Sequence, residues 1–474
     1  MSSETLGAII AERAPHTVDR PPRPAPRPPR PYHFPPFEKR SLPNGMRLVV
    51  ASVSKLPLVT VLMVIEAGAT ADPPGRDGLA QLTARLLPEG TERSTGVEFA
   101  ERLERLGASV EAHADWDVAV ARVTVLTEHL DEAIELFGEM LRRPAFPARE
   151  VERLKAERLA ELLQIRAEPG ALADEMFSRF AYEPASRYSR PAGGAVRDVE
   201  AATRNDVVHF YEARYRPAGM TLIAAGDVTP DRAERLARET FGDWAGAPAG
   251  VDVTSDAPAR HGRAVHVVAK ADAPQSELRV GHPGVPRNTP DYFPTVVMNA
   301  VLGGLFSSRI NLNLREAHGY TYGAFSAFDW RRRAGPFVVD TAVKTAVTDA
   351  AAREILNEIE RMRADEIRPE ELSLATSYLD GVFPIRYETT DAIAAALANL
   401  IIYGLPDDYF DRYREHVRAV TAAAVLGAAQ AHLHPDRIQI VAVGDPGVIR
   451  GPMEALGAGP VSVYDADGEA IGGR

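Results

Sequence analysis

Two stretches, "RPAGMTLIAAGDV" near residue 220 and "HPDRIQIVAVGDP" near residue 438, carry one pattern at a fixed separation. The step along the chain from Pro217 to Pro435 equals the step from Gly226 to Gly444. Each copy follows a helical stretch, "DVVHFYEARY" or "VLGAAQAHL", and reads as helix, turn, apolar strand and Gly-Asp turn. A second pair lies upstream. "FPAREVERLKAERLAELL" and "RPEELSLATSYLDGVFPI" both place a proline in the first helical turn, where its missing N–H had no partner anyway. The step from Pro147 to Pro369 is nearly the same as that of the first pair. A repeat on this scale restricts the chain to two halves folded alike.

Strand-like runs open each half: "MRLVVASV" and "LVTVLMVIEAG" in the first, "AVHVVAK" and "SELRVGHPG" in the second. Long helices alternate with further strands, such as "DVAVARVTVL" (117–126) and "GPFVVDTAV" (335–343). Hairpin-like strands mixed with long helices predict an α+β class, with two homologous domains, each a largely antiparallel sheet with helices packed on one face. The domains are expected at 37–242 and 263–460. A small, Gly/Pro-rich linker (243–262) joins them, a tail covers 461–474, and a Pro-rich, basic, extended arm occupies 1–36.

Composition removes several functions. A net charge of −12 argues against a general nucleic-acid binder, which needs clustered Lys and Arg on phosphates. The absence of cysteine excludes disulfides, thiolate zinc sites and cysteine nucleophiles. No apolar run approaches the roughly 20 residues of a membrane-spanning helix. The apolar run "LGAII" near the start is too short for a signal-peptide core. The expected location is cytoplasmic, or periplasmic if a leader has been removed.

The motifs "NGMRLVV", "EAGATADPPGRDGLAQL", "LLPEGTERS", "LGASVEAHADWD", "ERLKAERLAELL", "YRPAGMTLIAAGDV" and "LREAHGYTYG" resemble the pitrilysin, insulinase and mitochondrial-processing-peptidase family of inverted zincins. The resemblance runs from about Phe37 to about residue 460. Active relatives carry H-x-x-E-H on a helix, with two His on zinc and a Glu activating the metal-bound water. Matching "GLAQLTARLL" to that motif puts Gln81 at the first His, Ala84 at the Glu and Arg85 at the second His. Glutamine is a poor zinc ligand, alanine takes no proton, and arginine brings a fixed positive charge. Counted onward from Arg85, Glu161 falls where the resemblance places the third ligand, with Glu157 as a near alternative. An Arg85–Glu161 ion pair in place of the metal is the expectation. His432 and His434, in "AHLHPDR", form the one close His pair and read as structural.

The resemblance assigns the second half another role. In active relatives an Arg and a Tyr seven residues apart contact the peptide near its scissile carbonyl, and Arg315 and Tyr322 have that spacing, with Tyr320 as a decoy. A guanidinium and a phenol are suitable donors to an oxygen gaining negative charge. Gly303-Gly304 reads as a tight turn where related chains extend a glycine-rich loop. "GASVEAHADWDVAVARV" matches the hairpin whose edge strand receives substrate in relatives. On that hairpin, Trp116 reads as packed.

Dead metal positions beside a kept Arg/Tyr pair point to a non-catalytic subunit of a heterodimeric zinc metallopeptidase. This chain would hold no cofactor. Zinc would belong to a homologous H-x-x-E-H partner, in a heterodimer or a dimer of heterodimers, and unfolded peptides would be the substrates. The alternatives are a structural core-type subunit and a peptide-binding homodimer without activity.

Overall fold

The computed structural model describes residues 31–246, 250 and 254–471. Most of the Pro-rich arm, six residues of the linker stretch and the last three of the tail lie outside the described residues.

Six strands of the first half form one sheet: β1 (Phe37–Ser41), β2 (Arg47–Ser52), β3 (Leu58–Ile65), β4 (Ser109–Ala114), β5 (Ala119–Leu126) and β6 (Met220–Gly226). Six of the second form another: β7 (Ala264–Ala269), β8 (Gln275–Pro283), β9 (Ala324–Phe328), β10 (Pro336–Lys344), β11 (Gln439–Gly444) and β12 (Val461–Tyr464). Their orders are β1-β2-β6-β3-β5-β4 and β12-β7-β11-β8-β10-β9. Five strands thus repeat one topology, β2-β6-β3-β5-β4 against β7-β11-β8-β10-β9. The two Gly-Asp runs become β6 and β11, each parallel to the first repeated strand and antiparallel to the second. The sixth strands differ: β1 is an antiparallel hairpin partner of β2, whereas β12 returns parallel to β7. The class is the α+β arrangement the sequence predicts, with mostly antiparallel pairing.

Burial follows composition. β3, "LVTVLMVI", is a nearly continuous β-branched and apolar run, buried along almost its whole length. β5, "AVARVTVL", alternates buried and partly exposed residues, as a strand near a sheet margin does. Val59, Val61, Met63 and Ile65 of β3 enter one core with Leu79, Ala84, Phe99, Phe137 and Leu154. Thr60, between them in the pleat, faces the other side.

That other side is covered from across the molecule. Helix Thr390–Ile402, from the second half, packs on β3 and β6. Its Thr390 Oγ1 lies 2.9 Å from Thr60 Oγ1, and its Asp391 accepts from Thr124 at 2.8 Å. Helix Pro169–Ala181, from the first half, packs on β8 and β11 of the second sheet. Its Leu172, Met176 and Phe177 join Val441 and Val443 in one cluster, and Asp174 accepts from Arg279 at 2.5 Å. The span 37–242 therefore contains one helix that serves the second sheet, and 263–460 contains one that serves the first. The described residues from His33 onward consequently form a single compact unit. Arg332 adds a polar tie between the halves, with its guanidinium on both Glu66 oxygens at 2.6 and 2.8 Å.

The repeat also reaches buried charge. Glu139, on helix Leu130–Arg142, and Glu358, on helix Thr348–Ala364, are both buried, and the step between them nearly equals that between the two Gly-Asp runs. Arg102 and Thr91 donate to Glu139; Asn313 and Arg361 donate to Glu358 at 2.8 Å each. A buried carboxylate persists only when its oxygens are paired. The first half meets that condition at both Glu139 oxygens; in the second both donors share Glu358 Oε1, and the buried Oε2 has no hydrogen-bond partner.

Candidate functional site

Helix Leu79–Leu86 begins at Gly78. Its first N–H groups are satisfied by Asp72, whose carboxylate accepts from the N–H of Gly78 and of Ala80, both at 2.7 Å. Arg187 donates to the same carboxylate at 2.9 Å. Burial pushes the Asp72 carboxyl up to about 6, against the pull of Arg187 and the two N–H groups. A buried Asp–Arg cluster thus holds the start of the helix in place.

The helix directs its three motif positions differently. Ala84 is 1% exposed and lies inside the first core. Gln81 and Arg85 line one small cavity of about 20 Å³, together with Asp77, Leu154, Arg158 and Gly193. Helix Ala148–Ala167 supplies the opposing wall. From it, Glu157 accepts from Arg85 Nη2 at 3.0 Å and Glu161 accepts from Arg85 Nη1 at 3.3 Å. Arg158 takes the other Glu161 oxygen at 3.2 Å and donates through Nε to the Gly193 carbonyl at 3.0 Å. A Cβ on Gly193 would fall 2.1 Å from Gln81 Oε1 and 2.9 Å from Arg158 Cζ, so the absence of a side chain there is what lets both approach.

These donors do not fit zinc. A catalytic zinc takes three protein ligands from His, Asp, Glu or Cys, with a fourth position open. Here one candidate carboxylate, Glu161, is claimed at both oxygens by guanidinium groups. The two positions that would oppose it are an amide and a cation. The remaining space is about that of one water. Among the described residues, no group of three or more His, Cys, Asp and Glu is arranged to hold a metal ion.

Arg315 and Tyr322 lie on either side of a tight turn. Arg315 is on the π-wound segment Leu312–Ala317. That segment ends where Gly319 N–H reaches the Arg315 carbonyl at 3.2 Å and Tyr320 N–H reaches that of Leu314 at 2.9 Å. Gly319 has φ +63°, the left-handed conformation that favours glycine after a helix. The turn separates the two tyrosines by environment. Tyr320 stacks on His318 at 4.8 Å, while Tyr322 is 91% exposed. Arg315 Nη1 is buried without a hydrogen-bond partner, and the Glu316 carboxylate pairs with it electrostatically from 3.6 Å. Gly303 and Gly304 close a π-wound segment against β9, where a Cβ on Gly303 would meet Ser326 Oγ at 2.4 Å.

The hairpin and the His432/His434 pair make structural contacts. Trp116 meets Tyr188 edge-on at 5.3 Å, with the Arg331 guanidinium over its ring at 4.2 Å. Asp117 accepts from the Arg332 N–H at 2.9 Å, and burial raises its pKa. His113 lies on β4, an outer strand of the first sheet, and borders a cavity of about 240 Å³ between the halves. His432 ends a helix and bonds Asp291 at 3.0 Å, while His434 packs its ring on His282. Arg158, Phe306 and the Glu66–Arg332 pair went unread in the sequence. Each takes its meaning from a partner distant in the chain, and no local spacing announces it.

Two like-folded α+β halves, with a helix pair at the motif positions of one and an exposed Arg/Tyr turn in the other, define a peptidase-type architecture. The chain belongs to the insulinase family of peptidases, M16. The profile described as "Insulinase (Peptidase family M16)" matches residues 48–189, and that described as "Peptidase M16 inactive domain" matches 201–379. An uncharacterized zinc protease of Streptomyces coelicolor is 22% identical over 360 residues, 75% of this chain and 78% of that protein. A probable mitochondrial-processing peptidase subunit beta of Arabidopsis thaliana is 22% identical over 420 residues, covering 85% and 77%. Among solved structures, a peptidase M16 inactive domain from Pseudomonas fluorescens superimposes with a TM-score of 0.81 at 24% identity, over 86% of this chain and 98% of that one. A protease from Helicobacter pylori gives 0.80 at 18% identity, over 87% and 100%. These structural likenesses speak to the fold. No helix among the described residues is long and apolar enough to cross a membrane.

Proposed function

We propose that this chain is a non-catalytic subunit of a heterodimeric zinc metallopeptidase. It supplies Arg315 and Tyr322 to the active site of a homologous, zinc-bearing partner and forms half of a chamber for unfolded peptides. The observation that carries the reading is a contrast between the halves. At the metal positions Arg85 is engaged by Glu157 and Glu161, whereas Arg315 Nη1 is unpaired and Tyr322 is 91% exposed. The first arrangement leaves no ligand set for zinc. The second leaves an exposed phenol and a guanidinium whose side chain is 34% exposed, with its buried Nη1 unpaired, beside the place where an acceptor would arrive from outside.

In such a site the partner's zinc supplies the activated water. This chain's residues act on the substrate carbonyl: the guanidinium and the phenol donate to the oxygen as it gains charge. The test is a pull-down of the tagged chain from native lysate with mass spectrometry, followed by co-expression with the captured homologue. Recovery of a chain carrying H-x-x-E-H, and peptide hydrolysis by the pair but by neither alone, is the expected result. Capture of membrane-complex subunits with no such homologue favours the structural-subunit reading, and a self-associating chain that binds peptides favours the homodimer.

A further inference from the structure

Most arginines around the two sites are held by carboxylates that consume their N–H groups. Arg309 sits on both oxygens of Glu371 at 2.8 Å, and Arg85 divides its donors between Glu157 and Glu161. Arg315 is held differently. Its guanidinium carbon lies 4.5 Å from the centroid of the Phe306 ring, while Glu316 Oε1 stays at 3.6 Å, outside hydrogen-bond distance. Phe306 is itself 62% exposed, so core packing does not explain its place. It follows Gly303 and Gly304, which are pressed against Ser326 and Asn299 and fix where the ring-bearing loop leaves the helix.

An aromatic face attracts a cation through its ring quadrupole and takes up none of the cation's N–H donors. A carboxylate would hold the same cation more tightly but would occupy the donors a substrate carbonyl needs. We infer that Phe306 is a positioning residue for Arg315: it orients the guanidinium by its ring face, keeps it out of hydrogen-bond reach of its ion-pair neighbour Glu316, and so leaves the donors of its partly exposed side chain for a peptide carbonyl. This inference rests on the proposed role of Arg315. It adds that loss of the ring lets the guanidinium swing onto the neighbouring carboxylate, so that the damage runs through Glu316.

The test is fluorescence anisotropy of fluorescein-labelled unfolded casein titrated with the full chain. Because Phe306 is exposed, its variants should fold, and circular dichroism checks that they do. Arg315→Ala is expected to weaken binding. Phe306→Leu, similar in apolarity but without a π face, should weaken it about two- to fivefold, the range of an exposed cation–π contact. Phe306→Tyr should bind as the parent does. Phe306→Leu combined with Glu316→Gln should regain most of the loss, which a merely structural role for Phe306 does not predict. If Arg315→Ala weakens binding while Phe306→Leu leaves it unchanged, or if Glu316→Gln gives no recovery, this inference fails and the proposed function stands. If Arg315→Ala binds as the parent does, both fall.

Discussion

Arg85 donates to Glu161 across two helices at 3.3 Å, and to Glu157 one turn earlier at 3.0 Å. The family resemblance would put a metal ligand at the guanidinium's position, and it assigns to zinc the carboxylate that the guanidinium meets. All three side chains are 30–47% exposed, so the pairs contribute little to stability. Their effect is on chemistry, because they fill the ligand positions with opposite charge.

Rebuilding the metal site should follow from that arrangement. Gln81→His with Arg85→His would release Glu161 Oε1, its other oxygen staying with Arg158, and offer three ligands, and zinc should bind at one per chain by metal analysis. Adding Glu161→Ala should remove it. Ala84→Glu should instead reduce stability, because residue 84 lies in the apolar core and an unpaired carboxylate there costs several kcal/mol. Stoichiometric zinc in the parent chain, lost on Glu161→Ala, would contradict this account.

In the reconstituted complex, Arg315→Ala and Tyr322→Phe should each slow peptide hydrolysis, on the order of 100-fold for a donor to a developing oxyanion. Assembly and the partner's zinc content should be unchanged. Arg315 should matter more, since a charged donor is the stronger one. Tyr320→Phe is the control and should be nearly silent, because Tyr320 stacks on His318. Full turnover in the Arg315→Ala, Tyr322→Phe double variant would remove the complementation reading.

The two halves should unfold together. Each sheet has one face covered by the other half's helix, so residues 37–242 expressed alone would expose the Thr60 side of β3 and should aggregate or stay unfolded. The full chain should melt in one transition. Glu66→Ala, which strands the half-buried Arg332 guanidinium, should lower the unfolding free energy by on the order of 2 kcal/mol without splitting that transition. Two separated calorimetric peaks would count against it.

Acid should destabilise the second half through two buried histidines. Burial holds His282 down to about 3 and His266 down to about 4. His282 accepts the His434 N–H, and His266 bonds Gln439 and packs on Phe180. In the unfolded chain both take a proton near 6.5, while the folded chain excludes it. Stability is therefore retained above about pH 6.5 and lost as pH falls from there towards 4, by up to about 1.4 kcal/mol per pH unit for each histidine. Urea unfolding at pH 7.5, 6 and 5 measures the slope. His266→Gln, which can still bond Gln439, should flatten it.

What the sequence determined alone is what depends on local spacing and side-chain chemistry. The matched runs ending at Gly226 and Gly444 point to a strand in each half, because a short apolar run between a turn and a Gly-Asp turn reads as a buried strand. Gln81, Ala84 and Arg85 leave the motif positions without an imidazole or a carboxylate, and that is read from side-chain chemistry before any fold is known. The tertiary structure decided whatever depends on contacts between parts of the chain far apart in sequence. It sent helix Pro169–Ala181 to the second sheet and Thr390–Ile402 to the first, though nothing in either helix names its sheet. It gave Arg85 two glutamates instead of one, set Glu66 against Arg332, and laid Arg315 on Phe306. Periodicity records which face of an element is apolar; which distant element covers that face is settled by shape and charge once the chain has closed on itself.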